Sequence, residues 1–305
     1  MTLGLLGLLA SVVDLAELTR VLRSTDLRWF GVVLAIILAD RVVMAAKWLP
    51  LLRVQAPGVS FIRALKAYFA SNFAGFFLPA SIGGDILRTV GLGRQQSAVV
   101  EVGASVVLER ILGLVGSGVI ALLSLWIAVR AGVSIGILLP WALAAVLGGL
   151  VTAILPFSRR VQGLLSRLLA PFEGRWRAVV ERFAAACHAY RGHGGTVVGV
   201  GVLSALEQFF PVLAFMGASV ALGSHVPVQA LVASVPLMVF AARLPISISG
   251  FGVVEGSMVY LLGLFGVPAV EALSLTVVTR VAEILAYLPG AIWWRELLGG
   301  KPLTP

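Results

Sequence analysis

Residues 68–84, from Tyr68 to Gly84, read YFASNFAGFFLPASIGG. The stretch is apolar enough to lie in lipid, yet it holds Asn72, Gly75, Pro79, Ser81, Gly83 and Gly84. Proline removes an amide donor and glycine loosens the backbone, so a straight helix is not expected here. Broken backbone at membrane depth is tolerated only where protein buries it or where it lines a polar cavity. The stretch therefore predicts a re-entrant or discontinuous helix. A second stretch of the same kind runs from Pro227 to Phe265. It carries Pro236, Pro245, Ser247, Ser249, Gly250, Gly252 and Glu255.

The two stretches resemble each other. Leu78-Pro79-Ala80-Ser81-Ile82-Gly83-Gly84 and Leu244-Pro245-Ile246-Ser247-Ile248-Ser249-Gly250 agree at five of seven positions. Downstream, Val100-Glu101 matches Val270-Glu271 and Arg110 matches Arg280, with nine residues from Glu to Arg in both copies. Two related halves, roughly residues 1–128 and 129–294, follow from this pattern. Such internal similarity points to a transporter-like fold with its site where the repeats meet. Chance likeness between apolar, glycine-rich segments is the alternative, and the shared Glu/Arg spacing argues against it.

The rest of the chain fits a lipid solvent. Of 305 residues, 59% are hydrophobic and 12% charged, and the mean hydropathy is +1.03. The charged share is about half that of an ordinary soluble domain. No globular interior of this size hides so much apolar surface, and a disordered chain would be poor in hydrophobes. Spans of roughly 20 apolar residues are expected at Trp29–Leu49, Gly103–Ala128, Val133–Leu155, Thr196–Leu222 and Val270–Trp294. Leu3–Ala16 reads as a short first span, followed by an amphipathic interfacial stretch from Asp14 to Arg28. The fold class is all-α and polytopic, a single transmembrane domain over residues 1–305 with two inverted-like repeats.

Charge sets the orientation. The formal net charge is +9, which reads as arginine-rich loops at an anionic cytoplasmic leaflet rather than as a nucleic-acid surface. Residues 156–195 hold seven arginines against Glu173 and Glu181. Val161, Leu164, Leu165, Leu168 and Leu169 follow helical spacing there, as do Trp176, Val179, Val180 and Phe183. Two amphipathic helices on the inner leaflet are expected, either as a plain connecting loop or as a docking segment. With Arg53, Arg63, Lys66, Arg88 and Arg94 inside, each broken stretch dips and returns, and the halves come out inverted. Arg295 and Lys301 then lie inside, giving a cytoplasmic C-terminus in a bacterial-type inner membrane. Arg20, Arg23 and Arg28 fall outside in this scheme.

Ionisable groups at membrane depth are costly, at about 2.5–3.5 kcal/mol each on insertion scales. The candidate substrate-binding set is Asn72, Asp85, Arg88, Glu109, Arg110, Arg243, Glu255, Arg280 and Glu283. Asp85 and Arg88 directly follow the first break, where Asp85 would cap freed amides and Arg88 would hold a phosphate. Glu109 and Arg110 are adjacent, so on a helix they diverge and need separate partners. Arg280 and Glu283 lie three apart and are placed to pair. Arg243 precedes the second break and Glu255 follows it. The same groups would equally serve as ion pairs locking broken helices together. Glu207 is a further charge at depth, whereas Asp40 and Arg41, with Lys47, Trp48 and Arg53, read as markers of the cytoplasmic interface.

Several chemistries have no residues here. The only Gly-Lys pair, Gly300-Lys301, is followed by Pro302, so there is no phosphate loop for ATP. There is no HExxH pattern, and a single cysteine, Cys187, permits neither an internal disulfide nor a cysteine-based metal site. His188, His193 and His225 fall in loops, away from the membrane serines a hydrolytic triad would need. No cofactor and no metal are implied.

Taken together, certain residues resemble a known family. Tyr68-Phe69, Asn72, Phe77-Leu78-Pro79 and Gly83-Gly84-Asp85-x-x-Arg88, then Leu108-Glu109-Arg110, then Ser249-Gly250-Phe251-Gly252-x-x-Glu255, are similar to the transmembrane region of the lysylphosphatidylglycerol synthase/flippase family. The resemblance covers nearly the whole chain. It implies an inner-membrane protein that moves lipids or lipid-linked headgroups between leaflets. The soluble aminoacyl-transferase domain of the best-known members is not among these residues, so lysyl transfer is not expected.

The first expectation is thus a flippase whose partners are membrane lipids, either a phospholipid or a polyprenyl- or hopanoid-type lipid. Its arginines would meet anionic groups, and its carboxylates would position them, bind a cationic headgroup or carry a coupling proton. A second is an intramembrane glycosyl- or headgroup-transferase using a lipid-linked donor, with Asp85 or Glu109 as base. A third is a scaffold recruiting a lipid-modifying enzyme through Arg159–Arg191. A homo-oligomer is compatible with all three.

Overall fold

The structure, a computed structural model, describes residues 20, 23–76, 82–133, 175–243 and 250–298. Among these there are eleven α-helices and no strand. They are α1 (Leu27–Gln55), α2 (Phe61–Phe76), α3 (Ile82–Gln95), α4 (Val99–Arg130), α5 (Arg175–Ala189), α6 (Gly194–Leu206), α7 (Phe209–Ala221), α8 (Val228–Arg243), α9 (Val253–Gly263), α10 (Ala269–Tyr287) and α11 (Gly290–Leu298). The expected elements at Leu3–Ala16, Val133–Leu155 and Val161–Leu169, and the motif cores Leu78–Ser81 and Leu244–Ser249, lie outside the described residues.

Among the described residues three helical runs are long and apolar enough to cross a bilayer: α1, α4 and the stretch Ala178–Ala221. In the last, α5, a 3-10 turn over Tyr190–His193, α6 and α7 follow one another directly. Their outer faces are apolar, with Trp126, Val198, Val202, Leu206 and Phe209 all more than half exposed. Exposed hydrophobes at this density suit a lipid solvent.

The expected span Thr196–Leu222 is interrupted at Glu207–Gln208, between α6 and α7. Pro211 has no N–H to give the carbonyl of Glu207, four residues earlier. That carbonyl accepts instead from the Phe210 amide at 3.0 Å, a tighter turn. The expected span Val270–Trp294 likewise divides into α10 and α11, on either side of Leu288-Pro289. The reading of Lys47 and Trp48 as interface markers is corrected: both are buried, at 1% and 0% exposure.

Two apolar cores flank the middle of α1. The first joins Val33 of α1 to Phe215, Leu231, Met258 and Leu275 of α7 to α10. The second joins Trp48 and Leu52 of α1 to Ala67, Leu92, Val106 and Leu297 of α2, α3, α4 and α11. Asp40 and Arg41 fall between them on α1, so the polar site lies where one core gives way to the other.

Small residues bring α2 against α3. A Cβ on Gly84 would stand 2.6 Å from the Ser71 carbonyl oxygen, and one on Gly75 would stand 3.0 Å from the Gly84 Cα. This contact places the first turns of α3, with Asp85 and Arg88, beside Ser71 and Asn72. Gly84→Ala must therefore push the helices apart, at about 1–3 kcal/mol. Gly199→Ala on α6, where nothing lies within 4 Å, should melt at or slightly above the wild-type temperature. Thermal unfolding of the two variants in detergent checks this.

Candidate functional site: a charged cavity between the two cores

Residues of α1, α2, α3, α4, α7, α8, α9 and α10 enclose a cavity of about 340 Å³, to which Glu207 and Gly250 also contribute. Its apolar lining comes from Phe210, Pro211, Phe215, Met238, Val239 and Val254. The lining also carries six cations and five carboxylates, arranged as three groups of ion pairs.

The first group joins α3 to α4. Arg88 is 2% exposed, and its Nη2 lies 2.9 Å from Asp85 Oδ1 and 2.6 Å from Glu109 Oε2. Its Nε donates to Asp85 Oδ1 at 3.1 Å. The guanidinium also lies over two rings, 4.6 Å from the centre of Trp48 and 5.1 Å from that of Tyr68, a favourable cation–π geometry. Asp85 Oδ2 meets Arg110 Nε at 2.5 Å. Asp85 thus sits in the first turn of α3, but its two oxygens serve arginines. Glu109 and Arg110 find separate partners, because neighbours on a helix diverge.

The second group joins α9, α10 and α1. Arg280 Nη1 lies 3.0 Å from Glu283 Oε2, one turn along α10. Its Nη2 lies 3.4 Å from Glu255 Oε1 on α9, and its guanidinium is 4.7 Å from the centre of the Phe251 ring. Tyr287 donates to Glu283 Oε1 at 2.6 Å and accepts from Arg41 Nη1 at 3.5 Å. Arg41 in turn pairs with Asp40. Glu255 has a second duty, since its Oε2 accepts the Gly252 amide at 2.7 Å and caps the start of α9. The φ of +81° at Gly252 suits glycine.

The third group is buried. Lys47 of α1 pairs with Glu207 at the α6–α7 break, and Arg243 Nη2 lies 3.4 Å from Glu207 Oε1. Arg243 crosses the face of α4 at Gly113, where a Cβ would stand 2.6 Å from its Nη1.

Of the nine residues singled out from sequence, eight line the cavity: Asn72, Asp85, Arg88, Glu109, Arg110, Arg243, Arg280 and Glu283. Glu255 is reached through Arg280. Sequence reasoning left Asp40, Arg41, Lys47, Glu207, Tyr68 and Tyr287 out of the set. One signal was present: Asp40 and Lys47 are seven residues apart, two turns on one face of α1. Pro211, four residues after Glu207, was the other. Among the described residues no group of three or more His, Cys, Asp or Glu side chains is placed to hold a metal ion.

Membrane-length apolar helices around a charged internal cavity define a polytopic membrane protein with a polar site inside its bundle. The chain belongs to the family of the lysylphosphatidylglycerol synthase TM region, which matches residues 1–290. No curated protein and no solved structure matches it.

Removing one partner of a buried pair is expected to cost about 3–5 kcal/mol, because the remaining charge is stranded. Lys47→Met should therefore lower the melting temperature sharply. Lys47→Met with Glu207→Leu should recover much of the loss, since Arg243, already 21% exposed, reaches the cavity. A double-mutant cycle by thermal unfolding in detergent reads the coupling.

Proposed function

We propose that the protein is a lipid flippase, holding the polar headgroup of a phospholipid or lipid-linked intermediate in the cavity while the acyl or prenyl tails stay in lipid. The observation that carries this reading is the cavity itself, lined by both charged and apolar side chains. Its volume of about 340 Å³ lies at the low end of the roughly 300–1,000 Å³ of small-molecule sites. That is room for a headgroup without two full tails. The family supports a lipid-related role in the membrane.

The order of helix, Pro/Gly-containing break, shorter helix and longer helix occurs twice, over α2–α4 and over α8–α10. At 16 and 14 residues, α2 and α3 are each shorter than the ~20 residues a full crossing takes. We read them, with α8 and α9, as paired re-entrant or broken helices of two inverted halves. Arg110 and Arg280 come from corresponding long helices and reach the same cavity. In this reading the C-terminus is cytoplasmic, in a bacterial-type inner membrane, and the lipid crosses without any change of covalent bonds. An enzyme that makes or consumes the lipid would be the natural partner.

The test uses the full chain reconstituted into vesicles carrying tail-labelled phospholipids, with reductant quenching of the outer leaflet. Wild-type protein should make the inner-leaflet label accessible well above the protein-free rate. Arg110→Ala, at a half-exposed side chain, should fold normally and slow the exchange by about tenfold or more, as expected for loss of a charge-assisted contact. A wild-type rate equal to that of empty vesicles, for every lipid tried, would sink the reading.

A further inference from the structure

Among the described residues, several that line the cavity carry a buried polar atom with no hydrogen-bond partner. Asn72 Nδ2 on α2 and Arg88 Nη1 on α3 are donors. Asp40 Oδ1 on α1 is an acceptor, and the neighbouring Arg41 Nε is a donor whose side chain is already matched by Asp40 Oδ2. Buried polar atoms are ordinarily satisfied, by ligand or water where protein does not reach them. Glu109 Oε2, also without a hydrogen bond, is already paired with Arg88, which leaves the donors of α2 and α3 and the acceptor of α1. Asn72 and Arg88 stand with Arg110 on the α2–α3–α4 side, and a phosphate oxygen matches those donors. The carboxylate oxygen of Asp40 matches a group that carries both positive charge and an N–H.

The tally of charge narrows the guest further. Six cations line the cavity, and with Glu255, which Arg280 brings into the network, six carboxylates oppose them. Among the described residues the site is therefore neutral before any ligand arrives. A headgroup with net charge would lose its hydration there without a countercharge to replace it. A zwitterion brings no net charge to the site.

We propose that the cavity selects a zwitterionic headgroup in which one phosphate diester is joined to one primary ammonium, a phosphoethanolamine type of group. The phosphate meets Arg88, Arg110 and Asn72, and the ammonium donates to Asp40 Oδ1. The proposal rests on the reading of the cavity as a headgroup site. It disfavours phosphatidylglycerol, which has no cation. It disfavours phosphatidylcholine, whose quaternary nitrogen has no N–H to donate. It also disfavours a phosphate lipid bearing two ammonium groups, which is cationic overall.

The experiment compares headgroups in one vesicle system, using the full chain and tail-labelled phosphatidylethanolamine, phosphatidylglycerol, phosphatidylcholine and lysylphosphatidylglycerol. Phosphatidylethanolamine should cross about tenfold faster than phosphatidylcholine, the worth of one charge-assisted hydrogen bond. Asp40→Asn, which keeps the shape and removes the charge, should bring the two rates together. Equal rates in the wild type, or a faster rate for either charged lipid, overturn the proposal. If no lipid crosses, the flippase reading fails separately, and mass spectrometry of lipids co-purifying with wild type and Asp40→Asn decides the selectivity. Ethanolamine lipid enriched only in the wild type upholds it; bulk composition in both overturns it.

Discussion

A charge inside a bilayer must be neutralised by something other than water, and the interior of this molecule is organised by that requirement. Arg88 shows it most directly. It is among the largest fully buried side chains, and no single partner accounts for its burial. Asp85 approaches from its own helix, Glu109 from α4, and the faces of Trp48 and Tyr68 close over it. Four helices, α1 to α4, are therefore held to one point. Removing the point would leave two carboxylates without their shared cation in a medium where unpaired charge is least tolerated.

Backbone breaks make that arrangement reachable. A continuous helix through residues 61–95 would carry Asp85 and Arg88 away from Asn72, along a straight axis. Instead α2 and α3 pack directly, with Gly84 against the Ser71 carbonyl and no room for a side chain. The interruption at Glu207 has the same effect in α6–α7, setting a carboxylate where it meets Lys47 from α1 and Arg243 from α8. At the second Pro/Gly stretch, Gly252 takes the left-handed conformation that opens α9, and Glu255 caps it while reaching Arg280. Small residues and prolines thus bring distant charges to a common depth.

This division of labour explains what the amino-acid pattern shows and what it hides. Spans Trp29–Leu49 and Gly103–Ala128 are legible because an apolar run of helical length has few other readings. The Arg280–Glu283 pair is legible because helix geometry alone puts such neighbours together. The Lys47–Glu207 pair is hidden. Its partners are 160 residues apart, and nothing local ties them. Grouping Asp40, Arg41 and Lys47 with Trp48 and Arg53 imitates the basic and aromatic girdle of a membrane interface. Burial distinguishes the two readings, and burial is a property of packing. Tyr287 is hidden for a related reason: a tyrosine in an apolar helix reads as packing until its hydroxyl is found between Arg41 and Glu283.

The lengths of these contacts suggest how such a network would yield to a ligand. Several contacts are short: Arg88 with Asp85 and Glu109, Arg280 with Glu283, and Lys47 with Glu207 across 160 residues. Three contacts between helices are longer: Arg243 to Glu207 and Arg280 to Glu255 at 3.4 Å, and Arg41 to Tyr287 at 3.5 Å. Coulomb attraction and hydrogen-bond directionality both weaken with distance. These long contacts are therefore the weaker links of the network. Breaking them loosens α8, α9 and α10 from their partners, whereas the α3–α4 cluster around Arg88 stays intact. A polar cavity built wholly from short pairs would be a lock, and one built wholly from long pairs would not hold its charges in lipid. The mixture holds the cluster around Arg88 more tightly than the contacts of α8, α9 and α10.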